Sequence, residues 1–371
     1  MEQEFRGKCN VAIIGAGASG CMCAYFLLKA GIDVTLFDKG SPLRTLLPTG
    51  GGRCNLAHAE YDFKELAKNY PRGEKFLLSP FSRFSTWDTL ALFEELGIKT
   101  YVQEDNRIFP ESNSAKDVRE TILNKIRKAS IIKKEILSLK DLENEFTHIV
   151  IATGGHAGYD LLKGINIIDA KPSLVGLNTQ ENFKDLSGTV CKGALINGLK
   201  GDILFTHFGI SGPLVYKISS IKAFDSLPYG LEIDLSPQLE DLQSILNIYP
   251  HKEIKNILKE YLPQKIVNKI LTGINETTKA HLINGKLRDL ISDRIHHFKT
   301  TITGTNKGEE TVTAGGVDLN EINPKTMELK KVPNVYCIGE VLNIDGFCGG
   351  FNLQNAWTTA FIAAENIKKT G

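Results

Sequence analysis

The chain lacks any run of about 18 uninterrupted apolar residues, which excludes an ordinary membrane-spanning helix. It lacks the basic start and apolar middle of a signal peptide, because Met1–Arg6 carries Glu2 and Glu4, so a cytoplasmic protein is expected. It lacks an excess of either charge: 44 Lys and Arg stand against 43 Asp and Glu. That balance leaves no global field to attract nucleic acid or an anionic membrane, and neither is expected as a partner. Seven cysteines, an odd number scattered over a long chain, are too few and too irregular for a disulfide framework and fit reduced thiols. Cys21 and Cys23 lie on one expected helix with their side chains about 200° apart, which suits core packing and not a metal site. His296 and His297 are adjacent and also lack ligand spacing, so no metal is expected. Low-complexity tracts and internal repeats are absent too, and compact folding is expected nearly throughout.

What is present begins with a short apolar strand, Asn10 to Gly15, a helical pattern from Ala18 to Ala30 stopped at Gly31, and a second strand from Asp33 to Asp38. Such a unit implies two parallel strands joined by a right-handed crossover, the start of a doubly wound α/β sheet. Gly40 to Ala57 is then a long loop rich in glycine and proline, the kind that usually carries function. Trp87, Leu90, Phe93 and Leu96 predict one packing helix, and Ala115, Val118, Ile122 and Ile126 another. Ile131 to Leu139 predicts short strands, and Ile149 to Ala152 a buried strand ending in Thr153, Gly154 and Gly155. From about Val190 the texture changes to strand-like pieces such as Gly201 to Phe205, then to a helical stretch from Leu239 to Ile295. The α/β texture returns at Val335 to Gly339, followed by a glycine-rich turn and a final helix from about Asn352 to Lys368.

Gly15-Ala16-Gly17-Ala18-Ser19-Gly20 follows a strand and opens a helix, and Asp38 ends the next strand, so the loop reads as a dinucleotide fingerprint. Gly15 permits the tight turn, Gly17 leaves room for a pyrophosphate, and Gly20 lets the helix pack on the sheet. The helix N-terminus presents unpaired amides and a positive partial charge. Asp38, with Lys39 beside it, is placed to accept bonds from the adenosine ribose, which suits FAD or NAD and disfavours a 2′-phosphate. The choice between them rests on the other end of the chain. There Gly339-Glu340, Asp345-Gly346 and Gly349-Gly350-Phe351-Asn352-Leu353 offer a second set of backbone donors and ribityl-binding carboxylates, which favours FAD. A helix starting near Asn352 would aim its positive end at the flavin pyrimidine and ease its reduction.

Four segments together resemble the HI0933-like, or BaiN-like, NAD(P)/FAD-dependent oxidoreductases. They are the Gly15 to Gly20 loop, Thr49-Gly50-Gly51-Gly52-Arg53-Cys54-Asn55, Arg107-Ile108-Phe109-Pro110, and Ala314 to Val317 running through Gly339-Glu340-Val341 to Gly350-Phe351-Asn352-Leu353. Phe205 to Pro213 fits the pattern as well. The resemblance implies an α/β Rossmann-type FAD-binding domain, the two-dinucleotide-binding flavoprotein fold, with an inserted β-barrel plus helical domain. Residues 1-189 and 314-371 would form the FAD-binding domain. The insertion would be 190-313, with its barrel at about 190-235 and 298-313 and its helical part at about 236-297. It also implies noncovalent FAD reduced by NADH or NADPH. Gly51, Gly52, Arg53, Cys54 and Asn55 would lie beside the flavin, with Thr153, Gly154, Gly155 and the closing segment completing the site. The stretch His156-Ala157-Gly158-Tyr159-Asp160 is shorter than the family's usual one, which leaves substrate handling open.

In flavin enzymes the cofactor carries the hydride and the protein orients and tunes it. Arg53 either neutralises charge on reduced flavin or holds a substrate carboxylate, or else braces its own loop. Cys54 and Cys348 raise the idea of a redox disulfide, although such pairs usually share one short motif. His207 is either a proton donor or a packed histidine. The leading expectation is an FAD oxidoreductase passing hydride from NAD(P)H to a small organic acceptor. An RNA-modifying flavoprotein is the alternative, with Lys252, Lys255, Lys259, Lys265, Lys269 and Lys279 making the helical stretch locally basic but interspersed with acids. A non-catalytic FAD-binding redox sensor is a third.

Overall fold

A computed structural model describes residues 9–155, 157–306 and 312–370. The readings of Met1–Arg6 and His156, and part of the expected 298-313 barrel segment, lie outside them. The chain divides into two compact units, Met1–Lys171 with Val312–Gly371, and Pro172–Thr311.

The first unit is built on five parallel strands: β1 (Asn10–Ile14), β2 (Asp33–Asp38), β3 (Ser130–Lys133), β4 (His148–Ile151) and β5 (Val335–Cys337). Their order in the sheet is β5-β4-β1-β2-β3. The central strands are continuous apolar runs because a sheet covered on both faces buries every position, and Val11, Ile13, Val150 and Ile151 have no exposed surface. β3 is the edge, with Ile131 and Ile132 about 40% exposed. Having no further strand to pair with, the chain after Lys133 runs irregularly into a short helix, Lys140–Glu143, in place of the short strands expected up to Leu139.

Helix α1 (Ala18–Lys29) connects β1 to β2, and the C-terminal helix α2 (Phe351–Thr370) packs against it. Cys21 and Cys23 are both fully buried in the core around them, as the packing reading required. Each fully buried Leu or Ile of such a core contributes about 1.5–3 kcal/mol. The helix Thr86–Leu96 starts with a capping box between Ser85 and Asp88. It buries Thr86, Thr89, Leu92, Phe93 and Leu96, whereas Trp87, expected on the packing face, is 61% exposed and stacked on Tyr61. A small antiparallel sheet joins Ala57–His58 and Thr100–Val102 to the two edges of Arg107–Pro110.

With β2 and β3 on one side of β1 and β4 and β5 on the other, the strand order reverses between β1 and β4. Open α/β sheets form their binding crevice at such a switch point, outside the carboxyl ends of the strands.

The second unit has its own core. Six antiparallel strands run in the order Val190–Ile196, Leu199–Phe205, Gly209–Ser211, Leu177–Thr179, Phe298–Thr305, Tyr229–Ile233. The first and last meet where Leu195 and Asp234 exchange backbone bonds of 2.8 and 2.9 Å, so the sheet curls until its edges close. Four helices follow the expected apolar pattern, Leu242–Ile248, Ile254–Leu258, Gln264–Ile270 and Gly285–His296. The unit starts at Pro172, ahead of Val190, because the short strand Leu177–Thr179 pairs within this sheet. Among the described residues, no helix is long and apolar enough to cross a membrane.

Candidate functional site

At the end of β1 the chain turns through Gly15, whose φ is +105° and where a Cβ would overlap the carbonyl oxygen of Ala152. A Cβ on Gly20 would overlap the carbonyl oxygen of Gly15. Both glycines are therefore demanded by the protein's own backbone. Gly17 is different. Its φ of −78° suits any residue and no atom lies within 4 Å of where its Cβ would be, so the lack of a side chain there keeps space open outside the chain. The α1 N-terminus at Gly17 has no side-chain cap and no acid in its first turn, which leaves its amides to an outside anion. Asp38 Oδ2 accepts from the Ala16 amide and Oδ1 from that of Gly40, each at 2.6 Å, so the carboxylate holds the loop from below. Ala16 and Ser19 are buried, Ala18 is half-buried, and Lys39 is paired with Glu135 at the surface.

Two further segments meet this turn. A Cβ on Gly339 would crowd Ser19 Oγ, which brings the closing segment against the first turn of α1. After β4, Gly154 (φ +79°) faces open space, while Gly155 lies against Thr313 and Glu340. Glu340 Oε1 accepts from the Thr313 amide at 2.8 Å. Thr153 Oγ1 donates to Ala157 O, and the Tyr159 hydroxyl donates to Gly155 O at 2.8 Å, so Ala157 and Tyr159 are tied to Thr153 and Gly155. Burial, with the Glu340 charge adding to it, pushes the Tyr159 phenol up to about 12 and keeps it a donor.

The Gly50 to His58 segment interlocks with the closing turn. Gly51 and Gly52 have positive φ and open surroundings. Arg53 Nε donates to Gly50 O and Nη1 to Gln103 Oε1, both at 3.3 Å, and its guanidinium lies 4.1 Å from the centre of the Phe109 ring. Of its two sequence readings, these contacts are those of a brace. Cys54 is fully buried and burial pushes its thiol up to about 12, so it offers no thiolate at neutral pH. Neither it nor the exposed Cys348 is in a disulfide in this structure. The Asn55 amide, oriented as its neighbours require, donates to Ala57 O and Ile108 O and accepts from the Gly350 amide. His58 Nδ1 bonds Gly349 O at 3.0 Å, and its ring stacks on Phe351 with centroids 4.5 Å apart. A Cβ on Gly350 would overlap Ala57. Deeper in, Trp357 Nε1 donates to Leu56 O and the Tyr70 hydroxyl to Phe351 O.

Asp345, expected among ribityl-binding carboxylates, is instead fully buried with both oxygens engaged by the Arg72 guanidinium, because a carboxylate at this depth needs a paired charge. The Asn352 side chain clamps Gly346, accepting from its amide and donating to its carbonyl, each at 2.8 Å. Leu353 packs partly buried against the core. In the first turn of α2 the buried acceptors Gln354 Oε1 and Asn355 Oδ1 have no protein partner. This turn also has no acidic side chain.

The first unit thus gathers the two glycine-rich ends, the Gly51 to Asn55 loop and Thr153 to Gly155 around one switch point. His207 lies in the second unit, exposed in the turn between Phe205 and Gly209, with its ring against Phe208. His296 and His297 bond Asp234 and Glu232, at 3.0 and 2.8 Å. Among the described residues no cluster of three or more His, Cys, Asp or Glu is arranged to hold a metal ion. Sequence reasoning missed His58, Tyr70, Arg72 and Gln103. None carries a motif, and only the expected return of the C-terminus to the Gly-Gly-Arg-Cys-Asn loop points toward such partners.

The model of the HI0933-like protein Rossmann domain matches residues 9–366. The chain is 32% identical to a ribosomal RNA dihydrouridine synthase of Haemophilus influenzae, over 96% of this chain and 98% of that protein. It is 28% identical to a 3-dehydro-bile acid delta(4,6)-reductase of Clostridium scindens, over 95% and 98%. Among solved structures, Sdh1 of Mycobacterium smegmatis aligns with a TM-score of 0.50 at 14% identity, over 97% of this chain and 68% of that one, a likeness of fold.

Proposed function

The chain belongs to the HI0933-like Rossmann family, with a Rossmann-type FAD-binding domain, and from that premise we propose that it is an FAD-dependent reductase. Its reaction is the saturation of a carbon–carbon double bond conjugated to a carbonyl, and its substrate is a uracil ring in ribosomal RNA. The names of the two relatives share this chemistry. Dihydrouridine is uridine with the ring double bond beside its carbonyl reduced, and a delta(4,6) bond of a 3-dehydro steroid is conjugated to the 3-ketone in the same way. The RNA substrate follows the relative with the higher identity.

FAD, when bound, supplies the hydride, with NADH or NADPH as its source of electrons. The residues of the first unit fit that cofactor. The open space kept by Gly17 and the uncapped amides of α1 suit a pyrophosphate. Asp38 stiffens that loop and stands where a ribose is held in such folds. Gly51, Gly52 and Gly154 keep further open surface free of side chains, and the first turn of α2 brings amides and two unpartnered buried acceptors. Arg53, braced on Gln103 and Phe109, fixes the glycine loop and brings positive charge to it. The observation that carries the reading is the interlock of Asn55–His58 with Gly349–Trp357, since it joins two sequence-distant amide arrays in one locus.

A small unsaturated carbonyl compound is the second reading, favoured by charge. The net charge is +1, and Lys252, Lys255 and Lys269 of the helical stretch are ion-paired with Glu260, with Glu253 and Glu276, and with Asp185. Anaerobic incubation of the holoprotein with each nicotinamide and unmodified ribosomal RNA, in parallel with a 3-oxo-delta(4,6) steroid, separates the two. Dihydrouridine in the digested RNA supports the first reading and turnover of the steroid alone supports the second. A flavin that either nicotinamide reduces but that passes electrons to neither acceptor removes both.

A further inference from the structure

The peptide joining Gly349 to Gly350 is held at both of its polar atoms. Its carbonyl oxygen bonds His58 Nδ1 at 3.0 Å, and its N–H donates to the Asn55 side chain. The flanking residues have φ of +131° and +97°, the region where glycine moves freely, so an unclamped peptide plane here rotates at little steric cost. A carbonyl oxygen only accepts, so a neutral His58 carries its proton on Nδ1, and the ring is kept in that tautomer. The ring is also held in place, stacked on Phe351 and with its Nδ1 edge against Gly349. Phe351 is the first residue of α2, so this peptide leads into the residue that flanks a helix whose opening amides have no intrahelical acceptor.

We propose that His58 is a positioning residue that locks the Gly349–Gly350 peptide with its carbonyl oxygen turned away from the flavin, leaving only amide donors of α2 directed at it. This rests on the reading above, that α2 opens onto an FAD site. The physical consequence is on the cofactor's redox balance. Reduced flavin carries negative charge, which helix amides stabilise and a freed carbonyl oxygen would oppose. Loss of the His58 donor therefore weakens the grip on reduced flavin more than on oxidised flavin, lowering the potential.

The test compares full-length His58→Phe, which keeps a ring on Phe351 but has no donor, with His58→Asn, which keeps an N–H near the Nδ1 position. The readouts are the reduction potential of bound flavin and the dissociation constant of FAD. His58→Phe is expected to change the ratio of the reduced and oxidised affinities about tenfold against reduced flavin, a fall of about 30 mV for a two-electron couple. His58→Asn is expected to restore most of that shift. Wild type and His58→Phe with the same potential would overturn the proposal while leaving the FAD reading intact. Equal losses in both variants would also overturn it, since the donor would then not be what matters. A wild-type protein that takes up no FAD would instead remove the functional reading, and this proposal with it.

Discussion

The two glycine-rich turns of the first unit face the same switch point but are held by different means. In the first, Gly15 and Gly20 meet backbone: the carbonyl of Ala152 and the carbonyl of Gly15 itself. In the second, Gly346 meets the side chains of Tyr70 and Phe351 and Gly349 that of His58, while Gly350 meets the backbone of Ala57. The first turn is shaped by main chain, its own at Gly15 and that of Ala152 after β4. The second, 291 positions from His58 in sequence, is shaped largely by side chains delivered from elsewhere, with Arg72 and Asp345 as its buried anchor. A backbone-shaped turn tolerates little change in its glycines and much around them, whereas a side-chain-shaped turn can be loosened from a distance.

The largest test of that contrast is Arg72→Met. It leaves the Asp345 carboxylate buried without its partner, and should cost about 3–5 kcal/mol of unfolding free energy, measured by urea denaturation. An unchanged midpoint would mean that the second turn does not depend on its anchor. In the first turn, Gly20→Ala should cost on the order of 3 kcal/mol because its Cβ has no room against Gly15 O. Gly17→Val, three positions away, should stay within about 0.5 kcal/mol of wild type while weakening FAD binding at least about tenfold. If Gly17→Val unfolds the protein instead, the space beside Gly17 belongs to the fold and not to a ligand.

A smaller effect concerns the far end of α2. His148 is buried at the start of β4 with Nε2 3.3 Å from Thr370 Oγ1, and burial holds its pKa below the ordinary histidine value. The unfolded chain therefore takes up this proton first as pH falls. The stability linked to His148 is complete above about pH 6.5 and is lost below it, until the pH has passed the folded pKa. Denaturation midpoints should fall between about pH 7.5 and about pH 5.5, with a shallower fall in His148→Gln. Smallest is a reactivity difference: in the folded protein iodoacetamide should label exposed Cys348 and spare buried Cys54, as read by peptide mass.

This division also explains what could be read beforehand. β1, α1 and β2, the spacing of Gly15, Gly17 and Gly20, and the closing helix were legible because the apolar periods and turn glycines that mark them lie within a few residues of each other. The antiparallel unit was legible as a change of texture, but its first strand, Leu177–Thr179, is three residues long and too short to leave a pattern. Trp87 was misjudged because hydrophobicity alone put it on the packing face, while tertiary packing chose Thr86 and Thr89. Asp345 was read as a ligand carboxylate because nothing near it in sequence announces Arg72. Arg53 is held by Gln103 and Phe109, which its own segment does not announce. For Asp345 and Arg53 the partner is distant in sequence.

The measurement that bears most directly on the whole account is the visible spectrum of the purified protein titrated with FAD, then with NADH or NADPH without oxygen. The expected result is a bound, oxidised-flavin spectrum that bleaches on reduction, with affinity weakened both by Gly17→Val in the first turn and by Gly350→Val in the second. A colourless protein that takes up no added FAD would contradict it, as would an affinity that only one of the two turns controls.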